Sequence, residues 1–191
     1  MKKILLAVIS LSVMTFAGNY ESGVEAMMAG NYKKSVEYFE KATEQGNIRS
    51  YTLLGAAYLH GKGVKQDYKK AAEYFQKPAE QGDVQAQYSL AILYQNGQGV
   101  EQDNKKSVKL FKKAAEQGDV RSQYYVGEMY LAGDGVSRNY QKARYWLEKS
   151  AKRGNKFAYT LLGRIYAHGL GVQKNAQRAY EYFNKSTTNA D

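Results

Sequence analysis

The chain has 191 residues, 43% of them hydrophobic, with 18 glycines, one proline, no cysteine and a formal charge of +10. That apolar content over that length supports one ordinary core and excludes a disordered polyelectrolyte. The missing cysteines exclude disulfides, thiol catalysis and cysteine-ligated metal, so packing alone must hold the fold.

Residues 1–17 have the three-part layout of a secretory signal peptide. Met1-Lys2-Lys3 is a basic start, Ile4 to Val13 is an apolar run, and Thr15-Phe16-Ala17 suits cleavage after Ala17. The run is shorter than the roughly 20 residues that span a bilayer. Residue 18 is Gly rather than Cys, which closes the lipoprotein route. The expectation is a periplasmic or secreted protein of bacterial type that does not span the membrane once cut.

Residues 18–47 form a divergent N-terminal unit, and four 36-residue units follow without a gap at 48–83, 84–119, 120–155 and 156–191. Tyr58, Tyr94, Tyr130 and Tyr166 share a column. So do Gly61, Gly97, Gly133 and Gly169, and then Gly63, Gly99, Gly135 and Gly171, each followed by valine. Asp67, Asp103, Asn139 and Asn175 share another, as do Phe75, Phe111, Leu147 and Phe183. In the divergent unit Gly23 aligns with Gly55 once four loop residues are dropped. Regular recurrence at this period is the signature of a repeat architecture.

Each unit reads as helix, loop, helix. In the second full unit Tyr88, Leu90, Ala91 and Tyr94 give an apolar stripe at helical spacing. Gly97 ends that helix, Gly99-Val100 turns the chain, and Asp103 sits where an N-cap belongs. The second helix carries Val108, Phe111, Ala114 and Ala115 and stops at Gly118. Gly55, Gly127 and Gly163 fall in mid-helix, where glycine costs about 1 kcal/mol against alanine, so close approach of the partner helix is expected there. Pro78 falls inside a second helix and should kink or loosen it. One such helix pair cannot bury its own apolar face, so the pairs must stack into a solenoid. The last unit reads Lys185-Ser186-Thr187-Thr188-Asn189-Ala190-Asp191 where the others read KAAEQGD, a polar ending suited to a terminus.

These columns resemble Sel1-like repeats, relatives of the tetratricopeptide repeats. The first full unit carries Leu54-Gly55, Tyr58, Gly61-Lys62-Gly63-Val64, Asp67, Lys70-Ala71, Tyr74, Lys77, Ala79 and Gly82, and the third places Trp146 at the aromatic position. The resemblance implies an all-α fold, a right-handed superhelical α/α solenoid of antiparallel helix pairs. It also implies a scaffold, adaptor or partner-binding role without enzymatic activity. Some cysteine-rich relatives are linked to β-lactams, but their cysteines are missing here.

No serine is followed three residues on by lysine, so the serine–lysine pair of a β-lactam or cell-wall hydrolase is missing. His60 and His168 occupy one column three units apart, which argues against convergence on a metal. No cofactor is expected. In tetratricopeptide-like stacks the first helices line the concave face. The resemblance therefore points to Arg49 and Thr52, with Ala56, Leu59 and His60, in the first full unit. In the second it points to Gln85, Tyr88, Ile92, Gln95 and Asn96, and in the third to Arg121, Tyr124, Glu128 and Leu131. The last unit offers Phe157, Thr160 and Arg164, and the divergent one Tyr20, Val24, Met27 and Met28. Tyr88, Ile92, Arg121 and Tyr124 would make a central aromatic and cationic patch of the kind that anchors interfaces. The alternative is that Tyr88 and Tyr124 only pack between neighbouring first helices. Lysines of the second helices, such as Lys70, Lys106 and Lys142, read as a solvated convex face that leaves room for contact with an anionic surface. The expected partner is a protein or peptide and not nucleic acid, with an immunity protein that blocks a toxin as the narrower alternative.

Overall fold

The computed structural model describes residues 18–188; the expected signal peptide lies outside them. Ten helices and no strand occur among the described residues. The described part of α1 covers residues 18–28. Then come α2 (Tyr32–Glu44), α3 (Ile48–His60), α4 (Tyr68–Glu80), α5 (Val84–Asn96) and α6 (Asn104–Glu116). The series closes with α7 (Val120–Ala132), α8 (Tyr140–Lys152), α9 (Lys156–His168) and α10 (Ala176–Thr187).

The starts of these helices are written in Asn and Asp. From α2 to α10 each has a capping side chain that accepts the backbone N–H three residues on, at 2.7 to 3.4 Å. Such a cap satisfies one of the amides that a helix start leaves unpaired, and is worth about 1 kcal/mol. Four of these caps, Asp67, Asp103, Asn139 and Asn175, form the column read from sequence. Asn47, Asp83, Asp119 and Asn155 begin the first helices and Asn31 begins α2, each directly following the glycine that ends the preceding helix. The loop between helices is closed by the same residues. The amides of Asp67, Asp103, Asn139 and Asn175 donate to the carbonyls of Tyr58, Tyr94, Tyr130 and Tyr166 at 2.9 to 3.0 Å.

The described residues fall into two compact units. One runs up to Ala86 and includes Gln98–Glu101; the other comprises Gln87–Gly97 and the chain from Gln102 onward. In the first, one buried cluster gathers Val36, Phe39 and Leu54, with Tyr20, Val24, Met27, Leu53, Val64 and Tyr74 packed against it. In the second, one cluster gathers Ala91, Val108, Phe111, Val126, Met129 and Trp146. Another gathers Leu147, Ala151, Ala158, Leu161, Leu162 and Ile165.

The mid-helix glycines sit where the second helix of the same hairpin comes closest. A Cβ on Gly55 would lie 2.7 Å from the Phe75 ring, one on Gly127 2.6 Å from Leu147, and one on Gly163 2.6 Å from Phe183. Gly23 repeats this against Phe39 at 2.5 Å, in the alignment expected for the divergent unit. The second loop glycine does something the sequence did not disclose. A Cβ on Gly99 would meet the backbone of Tyr68 at 2.2 Å, and one on Gly135 the carbonyl oxygen of Asn104 at 2.2 Å. Both have positive φ, 72° and 67°. Each loop therefore presses its backbone onto the start of the preceding second helix, a contact that only glycine allows.

The lysine column also has a packing role. Lys70, Lys106 and Lys142 place their ammonium groups 5.0, 5.2 and 5.5 Å from the ring centres of Tyr58, Tyr94 and Tyr130, and Arg178 lies 5.4 Å from Tyr166. These cations remain exposed, and they also cover the repeated tyrosine. Pro78 is buried inside α4, which continues to Glu80 and keeps the 13 residues of its counterparts α6 and α8.

Candidate partner-binding surface

Four of the residues expected at a partner site, Tyr88, Arg121, Tyr124 and Phe157, meet on the first helices of the second unit. Tyr88 on α5 is half-buried, its ring tilted edge-on to Phe111 at 5.8 Å and lying 6.0 Å from Tyr125. The Arg121 guanidinium stacks over the Tyr88 ring at 4.0 Å. Arg121 is exposed and is also held by Asp119, whose carboxylate it meets at 3.1 Å. Tyr124 meets Tyr125 edge-on at 5.2 Å and lies 6.0 Å from Phe157, which is 71% exposed. The Tyr124 hydroxyl donates to Glu128 Oε1 at 2.8 Å. The rings thus pack between first helices and also present an edge to solvent.

Tyr88, Arg121, Tyr124, Tyr125, Asn155 and Phe157 line an open cleft of about 370 Å³. Burial pushes the Tyr88 phenol up from its ordinary range, with the neighbouring Tyr125 adding to the effect. Burial, together with the bond to Glu128, holds the Tyr124 phenol well above that range. Both rings are therefore neutral at physiological pH and act through faces, edges and a hydroxyl. Ile92 packs against the core cluster behind the cleft. Arg164 is exposed on α9 and does not line it.

The first unit, taken by itself, places Arg49 on the exposed side of α3 and buries Thr52. Thr52 falls in the column that holds Tyr88 and Tyr124, and its hydroxyl has no hydrogen-bond partner. This unit has its own concavity, an apolar pocket of about 260 Å³ lined by Met27, Met28, Tyr32, Val36, Phe39, Leu53, Ala56 and Ala57, among others. Its space follows from the small Ala56 and Ala57, in columns that elsewhere hold Ile92 and Leu93, Glu128 and Met129, or Arg164 and Ile165.

His60 and His168 each end a first helix and are exposed. Among the described residues no three His, Cys, Asp or Glu side chains are grouped as a metal would need. None of the described helices is long and apolar enough to cross a membrane.

Five Sel1 repeats are matched in the chain, at residues 12–47, 48–83, 84–119, 120–155 and 156–191. The chain belongs to the Sel1 repeat family. Sel1 repeats generally serve as protein-interaction modules, and proteins built from them are typically not enzymes. No curated protein matches the chain. Among solved structures it is similar to a protective antigen present in uropathogenic Escherichia coli strains, at 38% identity and a TM-score of 0.84. The match covers 90% of this chain and 38% of that one, so the chain spans well under half of that relative's length. A Sel1 repeat protein from Oxalobacter formigenes is 30% identical over 87% of this chain and 69% of its own, with a TM-score of 0.80. An immunity protein from Pseudomonas aeruginosa is 23% identical over 81% of this chain and 57% of its own, with a TM-score of 0.50, a likeness of fold alone. The fold class read from the repeat columns, an all-α solenoid of helix pairs, is the one these neighbours share.

Proposed function

We propose that this Sel1 repeat protein is an exported, non-enzymatic adaptor that holds a protein or peptide partner on the first helices of its repeats. The observation that carries the reading is the cleft built by Tyr88, Arg121, Tyr124 and Phe157. It combines rigid aromatic rings, an arginine fixed by stacking and by Asp119, and one large apolar side chain left in water. Aromatic and arginine residues dominate binding energy because they bury much area for little lost rotamer freedom. Export rests on the pattern of residues 1–17. The lack of activity rests on the family's habit and on the missing serine–lysine pair, and pure protein should leave nitrocefin intact.

The test is capture from a periplasmic extract by wild type and by a Tyr88→Ala/Tyr124→Ala variant, each checked by circular dichroism. The wild type retains a partner that the variant loses while still folded. Recovery of the same partners by both would end the proposal. Neutralisation of a toxin is a narrower form of the same reading, in line with the likeness of fold to an immunity protein. The identity of the captured protein decides it.

A further inference from the structure

Next to the aromatic cleft, and sharing Arg121, Asn155 and Phe157 with it, lies a wider open cleft of about 660 Å³. Arg153 and Lys156 join Arg121 in its lining, and among the described residues no carboxylate does. Arg153 closes the end of α8 and reaches back to donate to the Gly118 carbonyl at 3.3 Å. Lys156 is the first residue of α9 and Arg121 the second of α7.

The charge placement runs against helix stability. Helix starts favour anions because unpaired amides and the macrodipole give them a positive potential, so a cation in the first turn loses about 0.3–1 kcal/mol. Here Arg121 and Lys156 stand in the first turns of α7 and α9; α7 is capped by the Asp119 carboxylate and α9 by the neutral Asn155. Asp119, the acid paired with Arg121, is also engaged locally: its carboxylate accepts from the Ser122 amide at 2.7 Å and the Ser122 hydroxyl at 2.6 Å. The result is an open cleft lined by three cationic side chains, one of them paired with Asp119, with the exposed Phe157 ring among them.

We infer that this cleft binds an acidic segment of the partner protein, with carboxylates against Arg121, Arg153 and Lys156 and an apolar side chain on Phe157. This deepens the adaptor reading and rests on it. Concavity and the phenyl ring favour a carboxylate-bearing peptide over a polyphosphate or a lipid surface. A bilayer cannot enter a recess, and a phosphate chain has no use for an exposed phenyl group. Arginine forks match carboxylates bidentately, which adds geometric selection to the charge.

The test uses fluorescence anisotropy with a short labelled peptide of alternating glutamate and leucine, a glutamine counterpart, and vesicles containing phosphatidylserine. The wild-type protein binds the glutamate peptide, more weakly as salt rises, and ignores the glutamine one. Arg153→Glu/Lys156→Glu weakens binding about tenfold or more, and Arg153→Gln/Lys156→Gln weakens it less. Lys105→Glu/Lys109→Glu, on the exposed face of α6, changes it by less than about twofold. Thermal melts confirm that each variant is folded. Equal losses from both glutamate pairs would reduce the cleft to a diffuse field and overturn the inference. So would equal binding of the glutamine peptide, or vesicle binding without peptide binding. If the peptide fails while capture still depends on Tyr88 and Tyr124, the acidic chemistry falls and the adaptor reading stands. If the peptide binds as described but capture ignores those tyrosines, the aromatic docking proposal fails and the cationic cleft remains.

Discussion

The hairpins α3–α4 and α7–α8 use the same scaffold columns and end in different surfaces. Both bring a glycine against a large side chain of the second helix, Gly55 on Phe75 and Gly127 on Leu147. Both lay a lysine over the repeated tyrosine, at 5.0 Å in one and 5.5 Å in the other. They diverge in the columns free of those constraints. Ala56 and Ala57 leave an apolar pocket beside α3, while Arg121 and Tyr124 build a cationic and aromatic cleft beside α7. Sterics fix the scaffold columns because the neighbouring atoms leave room for one kind of residue. The column of Ala57 holds the buried Met129 and Ile165 in other units, whereas those of Arg121 and Tyr124 reach the cleft, and there a binding specificity can be written.

The largest break in that comparison comes from a scaffold glycine. Gly135→Ala must move the backbone of Asn104 and hold a left-handed φ, and should cost about 3 kcal/mol. Gly154→Ala, also at positive φ but with nothing within 4 Å of its Cβ, pays only the conformational cost of about 1 kcal/mol. Urea denaturation of the two variants separates packing from conformation, and equal losses would remove the case for loop-on-helix contact.

A second change sharpens the comparison. Pro78 stands where α8 has Ser150, whose hydroxyl donates to the Val120 carbonyl at 2.7 Å. Proline offers no amide to the Tyr74 carbonyl one turn earlier. Pro78→Ala should therefore raise stability by about 1 kcal/mol, a gain kept below the full helix-interior value by lost ring packing and a freer unfolded chain. A melting temperature that stays level or falls would show that the proline ring's packing outweighs the missing hydrogen bond.

The smallest effect concerns the cleft itself. The Tyr124 phenol titrates above its ordinary value of 10.0, so its stabilisation is whole below that pH and fades as pH rises through the folded-state value. Tyr124→Phe should cost about 0.5–1.5 kcal/mol at neutral pH, where Glu128 loses its donor, and less at strongly alkaline pH. Melts across the alkaline range check the sign; a penalty that grows with pH would contradict it.

Nearly all of the fold was legible because the residues that make it recur. The capping Asp and Asn, the Gly97-type helix stop and the mid-helix glycines each repeat at one spacing, and each has a local steric or hydrogen-bonding reason. What stayed hidden needs coordinates in space. The press of Gly99 on Tyr68 joins residues 31 apart, and the placing of Lys70 over Tyr58 turns a seemingly solvated column into a packing one. The site was legible only in part. Tyr88, Arg121 and Tyr124 lie in first-helix columns and do meet, with Phe157 beside them. Arg153 escaped because it follows the second helix, outside those columns; Lys156 escaped because it opens α9. A charge followed by Gly154-Asn155 and a second charge was the signal that could have marked both. Thr52 is buried while Thr160 of the same column is exposed, a difference of surroundings that the column alone does not carry.

The most direct measurement pairs partner capture with thermal melting for Arg121→Glu/Phe157→Ser, two exposed side chains in the shared part of the clefts. The account predicts a folded variant that has lost the captured partner, with a melting temperature lowered by about 2–8 °C because the stacking on Tyr88 and the pairing with Asp119 go, at a cost of about 1–2 kcal/mol. Capture that persists in the folded variant would contradict it.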